Sequence, residues 1–405
     1  MSATVKRTSR TQLLTIFLAR TVINTAFRLT YPFLPSIARG LNISLTTASG
    51  IVAFRMAGRM VAPVLGPISD RYGRRRVMEI ALLVFALASL LLASVGTLAA
   101  AAIAFALYGV AKALYDVAVY AYLGDTVAYR ERGRAIGIVE LSWSNAWLLG
   151  VPASGFLIER FGWRAPWAVL IGLGLLGAWS TRICLPPASR PATHERSALS
   201  VASIVTTWHN LLRCRSVIPF LLTTLFLMLA IEIPFIVYGA WLETTYDLSL
   251  STLGLASIVV GLAEATAEFG TTVVTDRLGK RRSVLIGLLG LAASLAVLPW
   301  LSRLGLAGGL TGVVLMMLTF EFGMVSLLPL ATELVPDARG SLISLYVTIS
   351  SLSRILGTVA GGWLWQWENI ALHAGVGAIC ALIAALSLTR IRAVAQPVPG
   401  AQSQT

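Results

Sequence analysis

Charge is scarce in this chain of 405 residues. Asp, Glu, Lys and Arg together make up only 12% of it, against about a quarter in ordinary soluble domains, whereas hydrophobic residues make up 57%. A soluble globular protein is therefore excluded. Cysteine is scarce as well, and the spacing of Cys184, Cys214 and Cys380 fits neither a metal site nor a disulfide framework. We expect no bound metal and no cofactor.

The sequence also lacks the motifs of catalysis. A nucleotide-binding glycine loop of the G-x-x-x-x-G-K type does not occur, which argues against ATP-driven pumping. The histidines, His194, His209 and His373, lie outside the middles of the apolar segments. No nucleophile, base and orienting group fall together at one depth, so an enzyme is not expected.

Long apolar segments are what the chain has in abundance. About 20 helical residues cross a hydrocarbon core about 30 Å thick, and twelve segments reach this length. Their predicted bounds are 12–36, 45–68, 77–95, 99–123, 134–157, 165–185, 217–241, 251–274, 283–301, 305–330, 341–365 and 371–389. The first span contains Arg20 and Arg28 and is too long for a cleaved signal.

The net charge of +14 could suggest nucleic acid, but its distribution indicates a membrane topology instead. With both termini in the cytoplasm, 22 of the 32 Lys and Arg residues fall on the cytoplasmic side. This is the positive-inside asymmetry of membrane proteins. We expect a multi-pass protein of the inner or plasma membrane, with lipid rather than nucleic acid as its partner.

The chain changes character after the sixth span. Residues 186–198 have the sequence PPASRPATHERSA, a mixture that is typical of a linker. The predicted division is an N-terminal six-helix bundle at 1–185, a cytoplasmic linker at 186–216, a C-terminal six-helix bundle at 217–391 and a disordered tail at 392–405.

Two short basic loops carry nearly the same letters half a chain apart. Residues 70–75 have the sequence DRYGRR and residues 276–281 have DRLGKR, at an offset of 206 residues. Each loop lies between two apolar spans. We therefore expect two copies of one helical bundle, an arrangement that many transporters use.

Together with Gly66, the first loop matches the G-x-x-x-D-R-x-G-R-R signature of the major facilitator superfamily without a mismatch; Thr272 replaces the first glycine in the second copy. The chain resembles this family over its whole length. The resemblance implies an all-α integral membrane protein whose twelve transmembrane helices form two pseudo-symmetric six-helix bundles, with a cytoplasmic gate at the loops. The implied gate residues are Gly66, Asp70, Arg71, Gly73, Arg74, Arg75, Asp276, Arg277, Gly279, Lys280 and Arg281.

A segment of span five supports the duplication. Residues 150–157 (GVPASGFL) are similar to residues 357–364 (GTVAGGWL) of span eleven, and small residues let helices approach closely in lipid. The first copy resembles the antiporter motif of the superfamily, although Val151 precedes Pro152 where that motif has glycine. Span four also lacks the arginine of many drug–proton antiporters, since Phe105 takes its place.

Twelve charged side chains fall inside the spans. A charge at the middle of the bilayer costs about 2.5–3.5 kcal/mol, so most of them must face one another or a watery cavity. The first half is mainly cationic and the second mainly anionic. The twelve are Arg20, Arg28, Arg55, Arg59, Lys112, Asp116, Glu140, Glu232, Glu264, Glu268, Glu321 and Arg354.

Three interpretations of these charges stay open. They can form ion pairs between helices or between a cationic and an anionic half. Alternatively, the arginines can bind a substrate while a glutamate that changes its arginine partner carries a proton. Finally, pairs such as Lys112 and Asp116, one turn apart, can neutralise each other within one helix.

By the family resemblance, helices one, four, seven and ten surround the transport path. The candidates on these helices for substrate binding and coupling are Arg20, Asn24, Arg28, Tyr31, Lys112, Asp116, Glu232 and Glu321. The candidates on other helices are Arg55, Arg59, Glu264, Glu268 and Arg354. For the coupling proton we favour Glu232 or Glu321 over Asp116, because the second half has fewer cations. Trp143 and Trp147 are expected to pack or to lie at the membrane interface.

The expected function is secondary transport by a monomer, and proton-coupled efflux of a small organic compound is the first choice. Proton-coupled uptake of an anionic or zwitterionic solute is the alternative that the cationic first half favours. A sensor or lipid-handling protein that keeps the fold without transport is the third.

Overall fold

The computed structural model describes residues 9–61, 71–128, 131–186, 201–335 and 338–391, without the side chains of 201–205, 272, 273 and 276. Over those ranges the chain is helical and contains no strand. Its contacts define two compact units: residues 1–196 with 247–261 form the first unit, and residues 197–246 with 262–405 form the second. The predicted bundle and linker bounds stay a prediction.

The first unit contains nine α-helices up to residue 186 and one that follows residue 247. They are α1 (Arg10–Arg28), α2 (Leu34–Leu41), α3 (Leu45–Arg59), α4 (Arg74–Ser94), α5 (Leu98–Thr126), α6 (Arg132–Glu140), α7 (Ser142–Asn145), α8 (Val151–Phe161), α9 (Ala165–Cys184) and α13 (Leu250–Ala256). A π-helical turn at Ala146–Gly150 joins α7 to α8.

The second unit contains the remaining helices of the described ranges. They are α10 (Val201–Leu212), α11 (Val217–Phe235), α12 (Tyr238–Tyr246), α14 (Ile258–Leu278), α15 (Lys280–Leu301), α16 (Leu306–Leu334), α17 (Arg339–Leu364) and α18 (Ile370–Thr389). Two short 3₁₀ turns follow α15 and α17, at Ser302–Leu304 and Trp365–Trp367. Helix α14 begins in the first unit and continues in the second.

Each predicted span is mainly helical in its described part. Nine of the described helices are long and apolar enough to cross a membrane, or ten if α2 and α3, which meet at 110°, count as one span. Span one is interrupted by a turn at 29–33 that contains Pro32, and span five by the π-helical turn before Pro152. Proline has no N–H to donate and clashes with the carbonyl four residues earlier, which explains breaks at these two positions.

The backbone repeats between the two halves of the sequence. Ser44 caps α3 by accepting a hydrogen bond from Thr47 N at 3.1 Å, and Ser249 caps α13 in the same way from Thr252 N at 3.3 Å. Positive φ angles recur at an offset of 205 or 206 residues. The pairs are Asn42 (56°) with Asp247 (49°), Gly73 (89°) with Gly279 (83°), and Gly162 (85°) with Glu368 (46°). The duplication therefore extends to turns in which the amino acids do not repeat.

Close helix contacts in both units depend on glycine. In the first unit, a Cβ at Gly58 or Gly109 would collide with the backbone of the facing helix, α5 or α3. In the second unit, a Cβ at Gly287 would lie 2.5 Å from Gly323 Cα, where α15 meets α16. Dispersion contacts between closely packed helices stabilise such bundles in lipid, so these positions hold the scaffold on which the charged residues lie.

Candidate functional site

Two acidic side chains of the first unit, Asp116 and Glu140, converge on Arg20, which is 2% exposed in α1. Its Nε donates to Asp116 Oδ1 at 3.0 Å, and its Nη1 lies 2.9 Å from Glu140 Oε1 and donates to Val139 O at 3.0 Å. Its Nη2 donates to Tyr120 Oη at 2.9 Å. One guanidinium thus joins α1 to α5 and α6, with both carboxylates balancing the local charge.

Lys112 completes this cluster. Its Nζ is fully buried and lies 2.7 Å from Asp116 Oδ1, one helical turn along α5, which is the pairing that the sequence spacing suggests. The same Nζ lies 4.5 Å from the ring centroid of Trp143. Arg20 and Lys112 therefore share Asp116, and with Glu140 they form a cluster of two cations and two anions.

The other candidates of span one also contact span five. Asn24 Nδ2 donates to Ser142 Oγ at 3.0 Å. The Arg28 guanidinium lies 4.6 Å from the ring centroid of Trp143 and 5.2 Å from that of Trp147, and the rings of Tyr31 and Trp147 are 6.4 Å apart. The two tryptophans thus hold cations against their faces, a role that sequence patterns did not indicate.

Arg55 and Arg59 belong to the same unit. Arg55 is buried, and its Nη1 donates to Phe27 O at 2.6 Å and to the hydroxyl of Thr30. Its Cζ lies 4.5 Å from the ring centroid of Tyr31. Arg59 is half-buried and close enough to Lys112 to interact with it electrostatically. The interpretation that charges of the cationic half pair with charges of the anionic half stays a prediction.

In the second unit, Glu232 is the centre of the charged contacts. This carboxylate of α11 is fully buried; its Oε2 lies 2.7 Å from Arg354 Nη1, and its Oε1 accepts a hydrogen bond from Thr358 Oγ1 at 2.9 Å. Both partners lie one turn apart on α17. Arg354 and Glu321 are each near enough to Tyr346 to interact with it electrostatically.

The remaining acidic candidates lie at other places in the structure. Glu264 and Glu321 are buried, and Glu268 is half-buried. Burial of carboxylates on membrane helices fits the expectation that these charges avoid lipid. Their assignment to substrate binding or coupling stays a prediction.

The first gate loop lies partly outside the described residues, including Gly66 and Asp70. Arg71 is exposed and stacks on Tyr72, with its Cζ 5.7 Å from the ring centroid. Arg74 Nε lies 3.2 Å from Asp125 Oδ2, and Arg75 donates to Leu185 O at 3.2 Å. This loop therefore attaches the start of α4 to the ends of α5 and α9.

The second gate loop makes the same kind of contacts. Lys280 pairs with Glu333 near the end of α16, and Arg281 Nη2 donates to Thr389 O at the end of α18, at 2.8 Å. Arg277 is exposed, and the side chain of Asp276 lies outside the described set. Each loop thus contacts the ends of two helices of its own half. These helices are α5 and α9 for the first loop, and α16 and α18 for the second.

Sequence reasoning missed four residues of these clusters. Glu140 was recognised only as a charge inside a span, whereas Tyr120, Thr358 and Tyr346 were not singled out. The available signal was helical spacing, because Tyr120 follows Asp116 by four residues and Thr358 follows Arg354 by four.

Known proteins similar to this chain are membrane transporters. The model of the Major Facilitator Superfamily matches residues 16–357, with a second match at 220–404. YceJ of Bacillus subtilis, an uncharacterized MFS-type transporter, is 25% identical over 377 residues, which are 93% of this chain and 94% of that protein. Multidrug resistance protein 2 of the same organism is 24% identical over 345 residues, which are 83% of this chain and 84% of that protein.

A solved structure shows the same fold. The crystal structure of a D-xylose-proton symporter superposes with a TM-score of 0.76 at 17% sequence identity, over 94% of this chain and 97% of that one. Helical spans with a duplicated basic loop and buried ion pairs define a multi-pass membrane transporter. The chain belongs to the Major Facilitator Superfamily, and the predicted fold of twelve transmembrane helices in two pseudo-symmetric bundles is confirmed.

Proposed function

We propose that this protein exports a small organic compound from the cell in exchange for protons, by alternating access. It acts as a monomer in the cell membrane with both termini in the cytoplasm, and the duplicated loops form its cytoplasmic gate. The similarity to Multidrug resistance protein 2 of Bacillus subtilis and the partial antiporter motif of span five support the direction of transport. The ion pair between Glu232 and Arg354 carries the proposal of proton coupling.

The pair is suited to coupling because its two members differ in burial. Glu232 is fully buried, whereas the side chain of its ion-pair partner Arg354 is 22% exposed. Asp116, in contrast, lies within ion-pair distance of Arg20 and Lys112, which are both buried. A cation that is only partly enclosed can move away from its carboxylate more easily than a buried cation can. We therefore favour Glu232 as the proton carrier.

Protonation of Glu232 changes the packing of α11 against α17. The neutral acid no longer balances the charge of Arg354, and an unbalanced cation inside a membrane protein is costly. Arg354 can reach a more polar environment because it is partly exposed, while the hydroxyl of Thr358 can remain bonded to the protonated acid. Proton uptake thus favours a second arrangement of these two helices, which alternating access requires.

The test is transport by the purified protein in proteoliposomes under an imposed pH gradient, with chemically varied solutes. In the wild type, the substrate should move in the direction opposite to the proton flow that the gradient drives. Glu232→Gln should abolish movement driven by the gradient but retain exchange of labelled for unlabelled substrate. Glu368→Gln is the matched control, because Glu368 is an exposed acid of the same unit, and it should behave as the wild type does.

Gradient-driven transport at the wild-type rate by Glu232→Gln would exclude Glu232 as the proton carrier. Direction is tested separately by drug sensitivity of a host that lacks its own exporters, where expression of an exporter should protect the cells. Uptake of an anionic solute, the alternative, predicts instead that Arg28→Ala abolishes accumulation of a labelled acid. The hydrogen bonds that Arg20 and Arg55 donate to protein oxygens support our choice of export over anion uptake, because these groups are then less available to an anionic solute.

A further inference from the structure

A cleft of about 300 Å³ opens at the end of the first unit that carries the gate loop. It lies beside the first turns of α4 and the last turn of α9. The residues that line it are Arg75, Arg76, Glu79, Ile80, Leu83 and Arg182. Three arginines and one glutamate give this small volume a surplus of two positive charges.

The arginines of the cleft differ in their contacts within the protein. Arg75 Nε lies 3.1 Å from Glu79 Oε1, and its Nη1 donates to Leu185 O at 3.2 Å. Arg76 and Arg182 are exposed, and among the described residues neither has an acidic partner within 4 Å. The surplus charge is thus carried by two guanidinium groups that can bind an anion from outside the chain.

The other side of the cleft is apolar. Ile80 is 47% exposed and Leu83 is 50% exposed, and they follow Arg76 by four and seven residues on α4. These spacings place all three on one stripe of the helix, and the two apolar residues lie in predicted span three. A ligand that uses the whole cleft is therefore anionic at one end and hydrocarbon at the other.

We propose that this cleft binds an anionic phospholipid, with its phosphate at Arg76 and Arg182 and its acyl chains along Ile80 and Leu83. Arginine binds phosphate through paired N–H donors. Each basic residue near an anionic lipid surface increases the binding affinity about fivefold.

The duplicated half carries the same set of residues in the second unit. Arg281, Arg282, Ile286 and Leu289 follow their counterparts on α4 by 206 residues, and Arg390 occurs at the end of α18 as Arg182 does near the end of α9. Arg281 donates to the carbonyl of Thr389 at 2.8 Å, as Arg75 donates to that of Leu185. Ile286 and Leu289 are 50% and 48% exposed. The protein therefore has two such lipid sites, one in each unit.

The two sites differ at one position. Leu285 occupies the place of Glu79, so the second site lacks the carboxylate that offsets one arginine in the first. We expect the second site to bind an anionic lipid about fivefold more tightly.

The experiment is native mass spectrometry of the full-length protein in detergent, titrated with phosphatidylglycerol, phosphatidylcholine or glycerol 3-phosphate. Two phosphatidylglycerol molecules should bind tightly, whereas the other two compounds should bind weakly. Arg76→Gln with Arg182→Gln should weaken one site about thirtyfold, and Arg282→Gln with Arg390→Gln should weaken the other by a similar factor. Arg160→Gln with Arg303→Gln is the matched control, because these two arginines are exposed and neither lines the cleft; it should change neither site.

Glu79→Leu keeps all arginines and should tighten the weaker site about fivefold, which guards against loss of binding through misfolding. Equal binding of phosphatidylcholine would overturn the proposal. So would glycerol 3-phosphate that binds as tightly as the lipid, because the site would then take a free anion. Unchanged affinity in both double variants would also overturn it.

Discussion

In each half of the sequence, a glycine packs closely against a neighbouring helix, but the residue that it contacts differs between the halves. A Cβ on Gly150 of span five would collide with Thr25 Oγ1 of α1, and a Cβ on Gly357 of α17 would lie 2.7 Å from Glu232 Cβ of α11. Gly357 follows Gly150 by 207 residues, and Glu232 follows Thr25 by the same number. Duplication has therefore preserved the helix contact, while a threonine in one half corresponds to the buried glutamate of the other.

The charged clusters diverge in the same manner. Counting 207 residues forward from Arg20 and Glu140 reaches Leu227 and Val347, and counting back from Arg354 reaches Trp147. Each half is thus neutral at the positions where the other carries these charges. The first unit has a cluster of four charges on α1, α5 and α6, and the second unit has the ion pair between Glu232 of α11 and Arg354 of α17. A charge that is shared among several partners resists rearrangement, so the proposed mechanism predicts a fixed role for the cluster of the first unit and a switching role for the pair of the second.

Among the variants that test this comparison, Arg20→Ala should cause the largest loss of stability. The change leaves Asp116 and Glu140 without the buried cation that joins them, and removal of one partner of a buried ion pair costs about 3–5 kcal/mol. Thermal unfolding of the purified protein in detergent should show a large fall in Tm. Arg160→Ala removes an exposed arginine of the same unit and should change stability by less than about 0.5 kcal/mol. Similar Tm values for the two variants would show that the cluster does not hold the helices together.

Arg354→Ala should have a smaller effect on stability. Its side chain is 22% exposed, so the pair is less fully enclosed than the contacts of Arg20, and we expect a loss of about 2–3 kcal/mol, below that for a fully buried pair. The double variant Glu232→Gln with Arg354→Ala should lose less than the sum of the two single variants, because it leaves no unbalanced charge. Strict additivity in this cycle would mean that the two residues do not interact.

Sequence could predict the contacts that lie within one helix or one motif. The spacing of Lys112 and Asp116 places them one turn apart, and the signature glycine predicts the turn at Gly73. The contacts of Arg20 with Asp116 and of Arg354 with Glu232 span 96 and 122 residues. They depend on how each helix is rotated about its axis, which periodicity cannot determine in a span that is apolar on nearly every side.

Substitution of the contact glycines should have the next largest effect on stability, and its effect on transport should differ between the two halves. Gly150→Ala and Gly357→Ala should each cost about 1–3 kcal/mol, because the added methyl group overpacks a close helix contact. Only Gly357→Ala should also alter proton-driven transport, since the added methyl group displaces Glu232. Gly172→Ala is the control, because nothing lies within 4 Å of its Cβ position, and alanine favours a helix over glycine. An equal loss of coupling in Gly150→Ala would argue against a special role for the second unit.

The smallest effect concerns an exposed carboxylate that only the first half has. Glu159 lies just beyond predicted span five, and its Oε2 accepts a hydrogen bond from Ser251 N at 2.6 Å. Hydrogen bonds from the side chain and then the backbone of Ser251 lower the pKa of Glu159. The counterpart at an offset of 206 is Trp365, which does not titrate. Because the folded state depresses this pKa, the contact stabilises the protein above the ordinary pKa of glutamate and is lost as the pH falls through the depressed value.

The Tm of the wild type should therefore exceed that of Glu159→Gln by a small amount at neutral pH, and the gap should close in acid. A gap for Glu159→Gln that stays constant from neutral pH into acid would mean that its carboxylate charge does not stabilise this contact. The contact joins α8 to the start of α13, where residues late in the sequence pack within the first unit. Its loss in acid would locate a pH-sensitive contact outside the buried clusters, so the pH dependence of stability and that of transport must be measured separately.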